Sequence, residues 1–224
     1  YHLVMSYDYT SGNPDCDMIT FYVNGVSESA TAEIETITTQ DLTHTDSTWI
    51  GSQSNLSGFV NGDIDQVVVY DKALTSTEVS ALYNSGSGTI TPDTNEMITH
   101  YNFEQTGALE NQLTAPPTNT KLLNINDVTF TVGTTSASVD ALVTGNAWDF
   151  ASADYVDTTK FNYLHDGSGG SISVWVNADS ITAWSPIIAS TLAQSTSTGM
   201  DMLYDDQDEV YCRAINTGNQ WQTT

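Results

Sequence analysis

The chain has very few positively charged residues. Among 224 residues there are 4 Lys and Arg against 28 Asp and Glu, so the formal net charge is −24. A surface of this sign repels phosphate groups, which excludes nucleic-acid binding and electrostatic attachment to anionic membranes. Long apolar runs are also missing, since no stretch approaches the roughly 18 apolar residues of a spanning helix. We therefore expect no insertion into a membrane.

Cysteine is scarce as well. Cys16 and Cys212 cannot make a disulfide framework, so we expect two free thiols. The sequence starts at Tyr1 without a Met or a signal peptide, and it stops at Thr224 just after a strand-like segment. We expect an excerpt or a processed product. Few Lys and much Asp, Thr and Ser favour a salty or calcium-containing extracellular medium.

Apolar content is high enough for a packed core. Hydrophobic residues make up 39% and aromatic residues 10%, which is too much for a disordered acidic tail. Short segments of alternating polarity predict β-strands. These segments are residues 2–7, 18–23, 65–70, 98–103, 171–176 and 210–215. The pair Asn24-Gly25 predicts a two-residue hairpin, because both residues tolerate positive φ.

One segment has the pattern of a helix instead. Thr75 and Glu78 have the spacing of a capping box, in which hydroxyl and carboxylate bond the free amides of the first turn. Val79, Leu82 and Tyr83 fall on one helical face, and residues 84–86 (Asn-Ser-Gly) supply the stop. The sequence therefore predicts an all-β fold, an antiparallel β-sandwich with one short helix.

Residues 87–95 form the clearest linker, with small residues followed by Thr91-Pro92-Asp93. They divide the chain into segments 1–86 and 96–224. The two segments do not look like copies of each other, so an internal duplication is not predicted.

Motifs in segment 1–86 have a family's order and spacing. They are residues 1–8, 21–25, 49–52, 59–67, 70–75 and 81–84. This series resembles the C-terminal half of a laminin-G-like, concanavalin A-like jelly roll. The resemblance implies a β-sandwich of two antiparallel sheets.

Segment 96–224 resembles the N-terminal half of the same family. The matching stretches are residues 100–104, 145–150, 155–156, 171–177, 199–204 and 210–215. The two halves thus stand in reversed order. Half a jelly roll exposes an apolar face and unpaired strand edges, so each half needs a complement. Two alternatives stay open: closure within one chain, or completion by another repeat or subunit.

The resemblance also implies a structural calcium ion, which often sits where the first and last strands of such jelly rolls meet. The matching positions are Asp63, Asp65, Glu104, Glu110 and Asn111. They offer the hard oxygen ligands that Ca²⁺ prefers. The alternative is that these residues are solvated turn acids. The acidic run 205–209 lacks EF-hand spacing and is interpreted as a hairpin tip.

The related glucanases carry Glu-x-Asp-x-x-Glu on one strand, and this sequence has no such segment. Glu33 and Glu35 share a strand face, but we interpret them as a solvated strand edge. We therefore predict no enzymatic activity. For ligand stacking, Trp184 in a loop-like stretch and Trp221 near the open end are the candidates. Trp175 alternates with Val174 and Val176, and Trp148 shares a strand face with Phe150, so both tryptophans are predicted to be core.

Two functions are compatible with these features. The first is a non-catalytic binding or adhesion module, extracellular or on a cell or virion surface, which recognises glycans or a partner surface. The second is a structural repeat of an extracellular filament, surface layer or virion appendage, which self-associates through complementary halves.

Overall fold

The structure is a computed structural model of the chain. It describes residues 1–9, 18–29, 32–35, 48–52, 58–89, 96–103, 128–130, 137–138, 143, 147–150, 154–158, 169–180, 185–190, 199–205, 209–216 and 219–223.

The described elements are sixteen strands, one α-helix and one 3₁₀ helix, Asn84–Gly86, directly after it. The strands of the first segment are β1 (His2–Tyr7), β2 (Ile19–Val23), β3 (Val26–Glu28), β4 (Ala32–Glu35), β5 (Thr48–Ile50) and β6 (Asn61–Tyr70), followed by α1 (Ser76–Tyr83). Those of the second are β7 (Met97–Tyr101), β8 (Val128–Phe130), β9 (Ala137–Ser138), β10 (Ala147–Phe150), β11 (Val156–Thr158), β12 (Gly170–Ser180), β13 (Ser185–Ala189), β14 (Gly199–Tyr204), β15 (Val210–Asn216) and β16 (Asn219–Thr223).

The strands form two antiparallel sheets. In the first sheet, sheet A, the order is β3-β2-β1-β12-β6-β10-β9, and β7 also pairs with β6. In sheet B the order is β4-β16-β15-β14-β13-β5-β11-β8. The prediction of an all-β sandwich with one short helix is confirmed, and β12 lies between β1 and β6 as its apolar centre suggested.

Strands from both segments share both sheets. In sheet A, β12 of the second segment pairs along one edge with β1 and along the other with β6. In sheet B, β5 of the first segment lies between β13 and β11 of the second. Each segment therefore finds its neighbouring strands within the same chain.

Strand β6 is buried on both faces, as its run of valines predicts. Val67 and Val69 face the core between the sheets, whereas Val68 and Tyr70 face a second cluster under the helix. Gln66 has φ 50°, and the pairing of β6 with β12 shifts register there. This irregularity keeps Ile64 and Val67 on the same inner side.

The helix α1 closes the second cluster. Val79 and Leu82 pack against apolar residues on the outer face of sheet A. Thr75 and Glu78 form the predicted capping box, and Asn84 ends the helix with φ 47°. Hydrogen bonds from Lys72 at 2.6 Å and from Thr75 lower the pKa of Glu78 to about 2.

In the part of the chain that the structure describes, no helix is both long and apolar enough to cross a bilayer. Cys212 lies in β15 and is a buried thiol. Cys16 lies outside the described residues.

Candidate functional site

A row of polar side chains crosses three strands on the outer face of sheet A. Asp149 of β10 lies opposite Asp63 of β6, and Asp63 lies opposite Asn177 of β12. Directly opposed residues point to the same side of a sheet. Ile64 and Trp148, the chain neighbours of the two aspartates, face the core, so the row faces outward. Asn177 is exposed and both aspartates are partly exposed.

Hydrogen bonds fix part of this row. The Asn177 amide Nδ2 donates to Asp63 Oδ2 at 3.3 Å. Beside it, Asn61 Nδ2 donates to Ser180 Oγ at 2.9 Å and links the same two strands. The row therefore presents carboxylate and carboxamide groups at fixed spacing. Two carboxylates directly opposite each other repel, so a ligand that donates hydrogen bonds to them would stabilise the pair.

The backbone under the row is held in a conformation that favours glycine. Gly62 precedes Asp63 and has φ 145°. A Cβ at this position would overlap the Asn177 carbonyl oxygen and lie 2.7 Å from the Ala178 Cα. The absence of a side chain lets β6 and β12 approach closely, and this approach sets the spacing of Asp63 and Asn177.

The rings of His2, Trp175 and Tyr83 pack against one another on the outer face of sheet A, beside the polar row. Trp175 lies 5.0 Å from His2 and 5.8 Å from Tyr83, measured between ring centroids. His2 Nε2 lies 2.9 Å from Ser173 Oγ. Trp175 is buried, as predicted, but in this stack on the outer face and not between the sheets. The stack ties the end of α1 to the centre of sheet A.

His2 and a second buried histidine, His100, lead to a prediction on acid stability. Burial lowers the pKa of each from 6.5 to about 4. Between those values the unfolded chain binds protons that the folded chain does not accept, so stability should fall as pH decreases from 6.5 towards 4. Each histidine contributes up to about 3 kcal/mol to that loss. Urea unfolding at pH 7.5, 5.5 and 4.5 measures it.

The control for this prediction is the double variant His2→Phe with His100→Phe, which keeps a ring at both sites and removes the titration. Its stability should fall less between pH 7.5 and 4.5 than that of the unchanged protein. If both proteins lose the same stability as the pH decreases, the loss is not caused by these two histidines.

Comparison with known protein families gave a match in the first segment, residues 1–86. Residues 1–80 match a family model, the one for the concanavalin A-like lectin/glucanases superfamily. The match confirms the resemblance for these residues, and the two antiparallel sheets agree with the superfamily fold. Neither the curated proteins nor the solved structures compared with the chain gave a significant match.

The superfamily resemblance placed calcium at five positions, of which the structure describes two. Asp63 is partly exposed and Asp65 is fully buried, and both lie on the outer side of β6. Within the described ranges, no three His, Cys, Asp or Glu residues come together as a metal site. Glu104, Glu110 and Asn111 lie outside those ranges. The calcium site therefore stays a prediction.

Ligand binding by Trp184 and Trp221 stays a prediction. Trp184 lies outside the described residues. Trp221 lies in β16, where its backbone pairs with Ala214 on one side and with Glu35 on the other. Glu35 belongs to β4, which is the edge strand of sheet B among the described strands.

Asp149 and Asn177 were not predicted as site residues. Each occupies an outward position in a strand whose alternate residues are core, so the period-two pattern could have marked both. Their proximity to Asp63 depends on strand pairing. Asn177 and Asp63 are 114 positions apart, and a local pattern does not bring them together.

Proposed function

We propose that the chain is a non-catalytic glycan-binding module of the concanavalin A-like superfamily, with its ligand on the row Asp149–Asp63–Asn177. The observation that carries this proposal is the pair of opposed carboxylates with an exposed carboxamide on the next strand. Carboxylates accept, and amides both accept and donate, the hydrogen bonds that sugar hydroxyls form.

Electrostatics supports a neutral glycan as the ligand. The net charge is −24, and the two aspartates of the row add local negative potential. With no cation bound at the row, anionic sugars would be repelled, whereas neutral hydroxyls can donate to both carboxylates. The proposal includes an extracellular or surface setting, which the acidic composition favours. A partner protein surface that presents hydroxyl or amide donors would use the same groups.

The proposal predicts that removing one carboxylate or the carboxamide of the row weakens glycan binding. A screen on an array of neutral glycans should identify a ligand for the unchanged protein. Asp149→Asn and Asn177→Ala should each reduce the affinity for that ligand about tenfold or more, because each removes a hydrogen bond that involves a charged or exposed polar group. Asp149→Asn also relieves repulsion with Asp63, so it should not lower the melting temperature.

Glu28→Gln is the matched control for Asp149→Asn. It removes the same charge from an exposed strand, β3, at the edge of sheet A. Its affinity for the glycan should be unchanged. An array without any bound glycan, or binding that survives both substitutions in the row, would contradict the proposal.

We also propose calcium binding at the end of β6, with Asp63 and Asp65 as ligands alongside Glu104, Glu110 and Asn111. Phe103, the residue before Glu104, packs edge-on against Trp148 with ring centroids 5.5 Å apart. Trp148 pairs with Ile64, which lies between the two aspartates. Phe103 has φ 54°, a strained value for an aromatic residue, and such strain is frequent next to ligand sites.

Calcium removal should therefore lower the melting temperature. An ion that binds only the folded state stabilises it by about 2.7 kcal/mol at a hundredfold excess over its dissociation constant. Thermal unfolding with millimolar calcium and with EDTA measures the difference. Asp65→Asn should abolish the calcium-dependent shift, whereas Glu28→Gln should retain it. Equal melting temperatures in calcium and EDTA would contradict the site.

A further inference from the structure

The polar row continues along β6 and β12 to a second pair of polar side chains. Asn61 lies two residues before Asp63 on β6, so both point to the outer face of sheet A. Ser180 lies directly opposite Asn61 on β12 and is exposed, whereas Asn61 is half-buried. Residues two apart on a strand are separated by about 6–7 Å, close to the length of one sugar unit. The row is therefore the first level of a strip, and the pair Asn61–Ser180 is its second level.

An irregularity in β12 places the hydroxyl of the second level. Gly62 pairs with Ala178, so regular pairing would put Asp179 opposite Asn61. The register shifts between Ala178 and Ser180, and Ser180 takes that position instead. Shifts of this kind re-aim side chains and are frequent beside functional sites. The second level therefore carries a neutral hydroxyl where regular pairing would place a carboxylate.

The two levels differ in the hydrogen bonds that they offer. At the first level, the carboxylates of Asp63 and Asp149 only accept. At the second level, Asn61 Nδ2 donates to Ser180 Oγ at 2.9 Å. The Ser180 hydroxyl proton and the second Nδ2 proton are then available as donors, and Asn61 Oδ1 as an acceptor. Hydroxyls that donate suit the first level, and sugar oxygens that accept suit the second.

One end of this strip is closed. The next outward positions on the two strands are Asp65 and Trp175, which lie directly opposite each other. Asp65 is fully buried, and Trp175 is 7% exposed and contacts the rings of His2 and Tyr83. A ligand on the first level therefore meets a covered surface beyond Asp63.

The other end of the strip is open. β6 begins at Asn61 and β12 ends at Ser180, so both strands stop at the second level. Asp179 and Ser180 are exposed there. A chain bound to both levels can extend past Ser180 but not past Asp63. The strip thus fits the end of a linear chain and not an internal stretch.

We infer that this strip binds the terminal two units of a linear neutral oligosaccharide, with the end unit on the row and the next unit on Asn61 and Ser180. The inference rests on the proposed glycan binding by the row. It adds the length of chain that is bound and the need for a free end.

Binding of oligomers of increasing length tests the inference. Linear oligomers of glucose, galactose, mannose and N-acetylglucosamine, with one to six units, are titrated into the intact protein. In a series that binds, the disaccharide should bind about tenfold more tightly than the monosaccharide, since the second level adds hydrogen bonds. Longer oligomers should have the dissociation constant of the disaccharide, because each chain has one matching end.

Substitutions at the second level should affect only the second sugar unit. Asn61→Ala and Ser180→Ala should each weaken disaccharide binding about threefold to tenfold and leave monosaccharide binding unchanged. Ser27→Ala is the matched control, because Ser27 is exposed on β3, away from the strip. It should change neither affinity.

Equal affinity for monosaccharide and disaccharide, or full disaccharide affinity in both second-level variants, would overturn the inference. Affinity that keeps rising up to six units would show binding along the chain, which the closed end excludes. Asp149→Asn separates the two proposals. If it weakens binding while Asn61→Ala and Ser180→Ala do not, the row is retained and the second level is wrong. If no oligomer binds, both proposals are wrong.

Discussion

Cutting the chain within residues 90–95 should leave the two segments associated at full mass. Sheet A places β12 of the second segment between β1 and β6 of the first, and sheet B places β5 of the first between β13 and β11 of the second. Separation would expose the core between the sheets. At about 25 cal/mol per Å² of apolar surface, that core contributes tens of kcal/mol before conformational entropy is counted.

The experiment replaces part of the linker with a site for a sequence-specific protease. After cleavage, size-exclusion chromatography with light scattering should give the mass of the uncut protein, whereas a denaturing gel shows two fragments. Each segment expressed alone should be unfolded or aggregated, because it lacks the neighbours of its central strands. The uncut linker variant is the control. Two folded, monomeric fragments after cleavage would contradict the pairing of the segments.

A valine at Gly62 should destabilise the protein by about 3–5 kcal/mol, a large effect for one substitution. The value of φ, 145°, is one that side chains rarely tolerate. The new Cβ would meet backbone atoms of Asn177, Ala178 and Asp179, which cannot move without breaking the pairing of β6 with β12. The midpoint of urea unfolding measures the loss.

Gly86→Ala is the matched control for Gly62→Val. Gly86 also has positive φ, 90°, but the nearest atom to an added Cβ is the Tyr83 hydroxyl at 3.3 Å, at the end of a side chain. Its substitution should cost about 1–2 kcal/mol, the strain of the backbone alone. A Gly62→Val variant as stable as Gly86→Ala would show that β6 and β12 do not approach as closely as described.

Local signals in the sequence were enough to place the helix, the Asn24-Gly25 turn and six of the sixteen described strands. The Asn24-Gly25 turn has positive φ at both residues, and the capping box of Thr75 and Glu78 is present. Both depend on residues that are neighbours in the chain, so the local pattern contains the needed information. The alternation around Val174 and Val176 likewise gave a strand with one face in the core.

The pairing of distant strands was beyond local patterns. Alternation predicted that Trp175 is buried, but only the pairing of β12 with β1 and the position of α1 show that it stacks on His2 and Tyr83. The polar row also depends on the pairing of distant strands, because Asp63 and Asn177 come from different segments. The register shift at Gln66 depends on how β6 pairs with β12, and no local residue pattern in the sequence indicates it.

The central claim is that segments 1–86 and 96–224 complete one sandwich within a single chain. The most direct measurement is light scattering of the intact chain during size-exclusion chromatography over a wide dilution range. Closure within the chain predicts a compact monomer of 24.2 kDa at every concentration. Oligomers or fibres that grow with concentration would show that strands are exchanged between chains, and would contradict the claim.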